Sequence, residues 1–297
     1  MSVVVPAYRA DRHLRRCVAS LCAQECEQAF EIIVVVSGDE ADDLAYADRL
    51  GDDPRLTVVV HRPRLSAAEG RNLGVARAKG ATLVFTDADV VAQAGWLSTL
   101  VAASAGTRCV AGAVVNGTPR SWAGTTEYLV EFLDLHPGRP PDTIWHGATC
   151  NLAVPRAQWE AYGPFVDAST SITEVGSADT TFTLQAAADG LLTFCPAARI
   201  VHMNRTELRT VLAHQVALGR CTAVLARRSP TYPHRRLVAT TWAAPLVAAG
   251  RWVSLWRRLA TWRIGLGPRS LLLTPYVVAA LAAWGSGLYR ENRARSA

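Results

Sequence analysis

Short runs of β-branched residues alternate with helix-length segments along the first third of the chain, and that alternation leaves few folds open. The runs are Ser2–Tyr8, Glu31–Val36, Leu56–Val60 and Ala81–Phe85. They are apolar almost without interruption, the pattern of strands covered on both faces. Between them lie a helix that Asp11 can cap, running to about Gln24, a short helix near Leu44–Leu50, and a helix over Ser66–Lys79. Ser66 and Glu69 have capping-box spacing, and Gly80 stands where the last helix stops. The order predicts an α/β fold with a doubly wound, mostly parallel, Rossmann-like sheet and right-handed crossovers.

In such sheets ligands bind beyond the C-terminal ends of the strands. The fourth run ends there as Thr86-Asp87-Ala88-Asp89. Carboxylates at i and i+2 suit a hard divalent cation, and the cation suits a diphosphate. Taken alone, the same residues also suit a solvated acidic turn. Neither G-x-G-x-x-G nor G-x-x-x-x-G-K-[ST] occurs, which weakens dinucleotide and P-loop readings. His13, Cys17, Cys22 and Cys26 have a passing likeness to a metal site, but Leu14, Cys17, Val18 and Leu21 share one helix face, so Cys17 reads as core.

Four pieces occur in an order and spacing that resemble the family 2 glycosyltransferases of the GT-A fold. They are the opening VVVPAY, the strand EIIVVV, the segment GRNLGVARAKGATLVFTDADV, and ADTTFTLQAAADG followed by ARIVHMN. The resemblance covers roughly residues 1–228. It implies a divalent cation, Mg2+ or Mn2+, with Asp89 reaching the metal, Asp87 nearer the ribose or a metal-bound water, and His202 completing the site. It implies that Tyr8 lies against the nucleotide base, with Pro6 and Ala7 bringing backbone to it, and that Arg71 and Asn72 lie on the donor side, Arg71 toward the diphosphate. Asp179 falls at the position of the catalytic base, with Glu174 as its understudy, and Trp145, Gly147 and Asn151 frame the acceptor region. The implied reaction is inverting transfer from a nucleotide-sugar donor to a hydroxyl of a sugar, lipid-linked or small-molecule acceptor.

Two departures stand out. Relatives follow the second strand with Asp-Asp-Gly-Ser, where this chain has Val36-Ser37-Gly38-Asp39, so either Asp39 takes over or base reading is different or weaker. The family's Glu-Asp pair is here Ala178-Asp179. These losses keep a second reading open, a non-catalytic membrane scaffold of the same fold. A sugar nucleotidyltransferase is a third, but it opens with a Gly-rich phosphate loop where this chain has Pro6-Ala-Tyr-Arg-Ala.

The expected organisation is a catalytic domain over 1–205, with a nucleotide-sugar half to about 95 and an acceptor half from 96. A connecting helix follows over 206–236, and a hydrophobic helical tail over 237–297. Half of the 297 residues are hydrophobic, and the net charge of +6 is almost wholly arginine, Lys79 being the only lysine. The arginines thicken after position 205 beside apolar segments, which favours a membrane surface over nucleic acid. Leu237–Gly250, 14 residues, is too short to span a bilayer, while the 20 uncharged residues of Ser270–Tyr289 are long enough. Trp residues near their ends favour membrane attachment over buried core helices. Arginines between the two stretches oppose a two-span hairpin, so re-entrant and interfacial arrangements stay open. Seven unpaired-looking cysteines and the absence of an N-terminal leader complete an expectation of the cytoplasmic face of the cell membrane.

Overall fold

The structure, a computed structural model, describes residues 1–41, 43–141, 144–166, 178–265 and 269–294. It divides into two compact units. The first comprises Met1–Val115, Pro141–Val166 and Ala178–His202, and the second Asn116–Pro140 together with the chain from Met203 onward.

The first unit is built on an eight-stranded sheet. Its strands are β1 (Ser2–Ala7), β2 (Glu31–Ser37), β3 (Leu56–His61), β4 (Thr82–Thr86), β5 (Val90–Ala92), β6 (Cys109–Asn116), β7 (Asn151–Pro155) and β8 (Leu192–His202), in the order β3-β2-β1-β4-β7-β6-β8-β5. β1 runs parallel to β2 and β4, and β2 parallel to β3. The other half is antiparallel, β7 against β4 and β6, and β8 against β5. The sheet is therefore mixed rather than mostly parallel. β7 starts with Asn151 beside Thr86 and ends with Pro155 beside Thr82, so it runs back down β4. The last strand is one continuous element ending at His202.

Helices α1 (Asp11–Cys22), α2 (Ala67–Arg77) and α3 (Trp96–Ser104) cover this sheet. On α1, Leu14, Cys17, Val18 and Leu21 are all buried. The capping box on α2 is formed in both directions, Glu69 N–H donating to Ser66 Oγ and Ser66 N–H to Glu69 Oε2. The helix expected near residues 44–50 is only a 3-10 turn over Ala47–Arg49. α4 (Trp122–Glu131) belongs to the second unit; α5 (Arg156–Tyr162) and α6 (Ala178–Ala188) belong to the first.

The second unit is helical: α4, α7 (Leu208–Arg228), α8 (Arg235–Val238), α9 (Ala244–Thr261) and α10 (Arg269–Arg293). α7 and α10 cross where both carry glycine. A Cβ at Gly219 would run into the Trp284 carbonyl, and one at Gly287 into the Val216 carbonyl. Ala223, Ala226, Val238, Ala244, Trp284 and Leu288 form the core beside that crossing. At the end of α10, Glu291 pairs with Arg220 at 3.4 Å and Arg227 at 3.3 Å. Within α10, Leu272–Arg293 is long and apolar enough to cross a membrane by length and composition, and 44% of that span's apolar window is buried inside the protein.

The compact units do not follow the linear division expected at 205 and 236. Residues 116–140 join the C-terminal helices because their polar groups need partners there. Arg251 donates to the Val130 carbonyl at 2.8 Å, and Arg258 pairs with Asp134. The expected 14-residue run is likewise split, between α8, a 3-10 turn over Thr241–Ala243, and the first half of α9.

Candidate active site

Asp87 and Asp89 sit in the tight link between β4 and β5, and register supplies their neighbour. β8 runs antiparallel to β5 with His202 opposite Val90, which brings the imidazole beside the residue just before Val90. His202 Nε2 lies 3.6 Å from Asp89 Oδ1. One ligand atom from each of Asp87, Asp89 and His202 lies within 4.8 Å of the others. The imidazole is buried, whereas the Asp89 side chain is 42% exposed. Two carboxylates and one imidazole so placed form a donor set fitting a divalent cation.

The two carboxylates are not equivalent. Asp87 is held by an ion pair with the Arg71 guanidinium, and its own carbonyl accepts from Cys17 Sγ at 3.3 Å. Arg71 projects from α2 and is buried, its Nε without a hydrogen-bond partner among the described residues. It therefore holds the orientation of Asp87. Among the described residues Asp89 has no such brace, and it offers the more open oxygens.

Asp179 opens α6. Its Oδ1 accepts from Thr180 N–H at 2.7 Å, and its Oδ2 from Thr149 N–H and Oγ1, each at 3.4 Å. Burial pushes its carboxyl above the ordinary carboxylate value, opposed by the positive charge of Arg71. Gly147 N–H donates to Thr183 Oγ1 at 3.1 Å, and that hydroxyl donates to the Asp179 carbonyl at 2.8 Å. The expected acceptor segment thus lies along Asp179, with the Trp145 ring stacked on His146 at 3.9 Å. Glu174 lies outside the described residues.

Asn151 does not belong to an acceptor surface. It is fully buried, accepting from Trp96 Nε1–H at 2.8 Å and donating to the carbonyls of Ala113 and Ala198 at 2.9 and 3.0 Å. Its amide is used up in bracing strands. Asn72 is similarly committed, its amide pairing both backbone groups of Phe165 at 2.8 and 3.0 Å.

On the nucleotide side, Ala7 is buried while Pro6 and Tyr8 are half-buried at the end of β1. The Arg64 guanidinium lies 4.0 Å over the Tyr8 ring. Asp39 Oδ1 accepts from Arg64 N–H at 3.0 Å, and Ser37 Oγ from Leu65 N–H at 3.1 Å. Asp39 thus holds the loop after β3. Asp43, a residue sequence reasoning passed over, organises the loop after β2. One of its oxygens pairs with Arg9 at 2.6 Å and the other accepts from the N–H groups of Asp39 and Glu40. The pair with Arg9 holds its carboxyl below the usual range. The signal available was a run of acids in Asp39-Glu-Ala-Asp-Asp43, where Asp-Asp-Gly-Ser was missing.

A second carboxylate–imidazole group, also unanticipated, lies in the helical unit, where Glu127, Glu131 and His214 approach within 4.8 Å. Burial raises the Glu127 carboxyl, with Glu131 adding to it. Arg205 already supplies the counter-charge through both its backbone N–H and its guanidinium, so this group ties α4 to the segment that follows β8.

A sheet that carries Asp-x-Asp at its central crevice, with a histidine returned to it by an antiparallel strand, defines a GT-A fold. The comparisons with known proteins agree. Over 95% of this chain, the mannosyltransferase PcManGT of Pyrobaculum calidifontis, solved with GDP-Man and Mn2+, superposes with a TM-score of 0.61 at 20% identity, 85% of that chain being covered. TarS of S. aureus, solved with UDP-GlcNAc, superposes over 99% of this chain and 91% of its own, with a TM-score of 0.53 at 14% identity. Residues 2–144, just under half of the chain, match the sequence profile of Glycosyl transferase family 2. The uncharacterized glycosyltransferase YfnE of Bacillus subtilis is 34% identical over 91 residues, 31% of this chain and 23% of its own length. The pre-mycofactocin glycosyltransferase of Mycobacterium tuberculosis is 28% identical over 272 residues, 86% of this chain and 52% of its own length. The chain thus spans about half the length, or less, of these curated relatives.

Proposed function

We propose that this chain transfers a sugar from a nucleotide diphosphate sugar to an acceptor hydroxyl, with inversion at the anomeric carbon. The observation that carries the reading is the convergence of Asp87, Asp89 and His202 at the strand ends. Asp89 and His202, with Asp87, would hold a divalent cation, whose chemistry there is neutralisation of the leaving diphosphate. Arg71 fixes the orientation of Asp87. Tyr8, beneath Arg64, offers a stacking face for a nucleotide base. Asp179 accepts the proton of the attacking hydroxyl, and an elevated carboxyl makes it a better base than an exposed aspartate. Inversion follows from a single displacement by that hydroxyl. That PcManGT was solved with GDP-Man and Mn2+ on a similar fold supports the donor class.

The acceptor is a hydroxyl on a sugar, a lipid-linked glycan or a small molecule, presented at the cytoplasmic face of the cell membrane. The arginines and apolar segments of the helical unit support that location. The test is calorimetric titration of UDP-, dTDP- and GDP-sugars with and without Mn2+, followed by turnover against candidate acceptors. Asp89→Ala should abolish both metal-dependent nucleotide binding and transfer while leaving the folded state intact. Wild-type turnover in that variant would overturn the proposal.

A further inference from the structure

α9 has two contrasting faces. Ala244, Leu255 and Leu259 are buried against the rest of the helical unit, and Val247 and Ala248 pack against its core. Arg251 and Arg258 also point inward, to the Val130 carbonyl and Asp134. The outer face carries Leu246, Ala249 and Val253, and Trp242 of the preceding 3-10 turn continues the same four-three-four spacing; all four are exposed. Trp242 is 71% exposed and Leu246 61%. Among the described residues, all but two of the exposed large hydrophobic side chains belong to the helical unit.

Charge identifies what such a face meets. No Asp or Glu occurs between Glu207 and Glu291, whereas twelve arginines do, in a chain whose net charge is +6. Arg235 and Arg236 precede the apolar stripe and Arg257 follows it; all three are exposed, without a carboxylate partner among the described residues. A helix with an apolar outer stripe, a Trp at its start and only cations at its margins has the pattern of one lying in the plane of a bilayer interface. A second copy of the same face would set those arginines against one another.

We propose that α8 and the outer face of α9 dock on an anionic lipid bilayer, with Trp242, Leu246 and Val253 in the acyl–headgroup boundary and Arg235, Arg236 and Arg257 on lipid phosphates. α10, gripped by α7 at Gly219 and Gly287, stays with the protein rather than crossing the bilayer. The inference deepens the membrane location proposed above and names the surface responsible for it.

The test is co-sedimentation of the full chain with vesicles of phosphatidylcholine alone and with phosphatidylglycerol added, alongside donor hydrolysis in solution. Binding should require the anionic lipid and weaken as salt rises. The double substitution Arg235→Gln/Arg236→Gln should lower partitioning about 25-fold, at about fivefold per arginine. Leu246→Glu/Val253→Glu should abolish binding. Both variants should hydrolyse donor as wild type does, so loss of hydrolysis in the wild type would count against the transferase reading and not against this one. Equal binding to both vesicle types would overturn the proposal, as would retention by membranes after alkaline carbonate washing, which marks a spanning α10. A salt-insensitive dimer broken by Leu246→Glu/Val253→Glu would overturn it in favour of a second copy.

Discussion

Replacing Asn151 by alanine separates a structural role from a catalytic one. Its carbonyl oxygen is the hydrogen-bond acceptor of Trp96 Nε1–H, and Trp96 is itself almost fully buried. Its amide nitrogen supplies the Ala113 and Ala198 carbonyls, on β6 and β8. Alanine orphans the indole donor, at a cost of about 1–3 kcal/mol, and withdraws a donor from two carbonyls. The removed amide also leaves a void that close-packed strands fill poorly. Together these terms come to about 3–5 kcal/mol, which is a large fraction of the 5–15 kcal/mol typical of domains. Urea unfolding followed by tryptophan fluorescence reads the loss as a lowered midpoint at unchanged slope. Asn151→Asp should be worse, because it sets a buried carboxylate against two carbonyls. The rate per folded molecule of Asn151→Ala should remain near wild type. A loss under about 1 kcal/mol, or a collapse in turnover with the midpoint preserved, would refute the bracing role and return Asn151 to the acceptor region.

Asp179→Asn should leave donor affinity intact and lower turnover by about 10²–10⁴-fold; steady-state rates beside donor titration check it. Because the base works deprotonated and burial raises its carboxyl, wild-type turnover should fall as pH drops through a midpoint above the ordinary carboxylate value, and the Asp179→Asn remnant should lack that limb. Gly219→Ala should destabilise the helical unit by about 1–3 kcal/mol or more through forced separation of α7 and α10, read by thermal melting. Asp43→Ala should release both Arg9 and the loop after β2, weakening nucleotide binding by about one to two decades, as expected for a lost charged hydrogen bond; competition by free UDP, dTDP and GDP measures it.

What was legible in the sequence followed strong local signals. Continuous apolar runs marked β1, β2 and β4, and Ser66 with Glu69 marked the start of α2, because strand burial and helix capping each leave a short-range pattern. Asp87, Asp89 and His202 came from a motif, and the β5–β8 register then explained why they meet. Direction in the second half of the sheet was not legible, since pairing β7 against β4 depends on where a long excursion returns. Asn72, Asn151 and Arg71 show a further limit. A polar residue near a motif reads the same whether it faces a ligand or completes a buried hydrogen bond, and only partners such as Phe165, Trp96 and Asp87 tell them apart.

The departure from Asp-Asp-Gly-Ser acquires a physical sense once those partners are known. In this chain the carboxylates after β2 bond to neighbouring loops. Ser37 and Asp39 accept from the backbone of Arg64 and Leu65, and Asp43 accepts from the backbone of Asp39 and Glu40 while pairing with Arg9. The carboxylates are spent on holding two loops at the crevice, and what those loops present is cationic, with Arg64 over the face of Tyr8 and Arg9 at 5.2 Å from the same ring. A guanidinium over a phenol attracts anionic oxygens and stacks on any planar base, but it does not distinguish the imide edge of uracil from the edge of guanine. Discrimination among UDP-, dTDP- and GDP-sugars should accordingly be modest, and Asp39→Ala should lower affinity for all three together by loosening the Arg64 loop. Sharp preference for one nucleotide that survives Asp39→Ala would place base recognition elsewhere and defeat this argument.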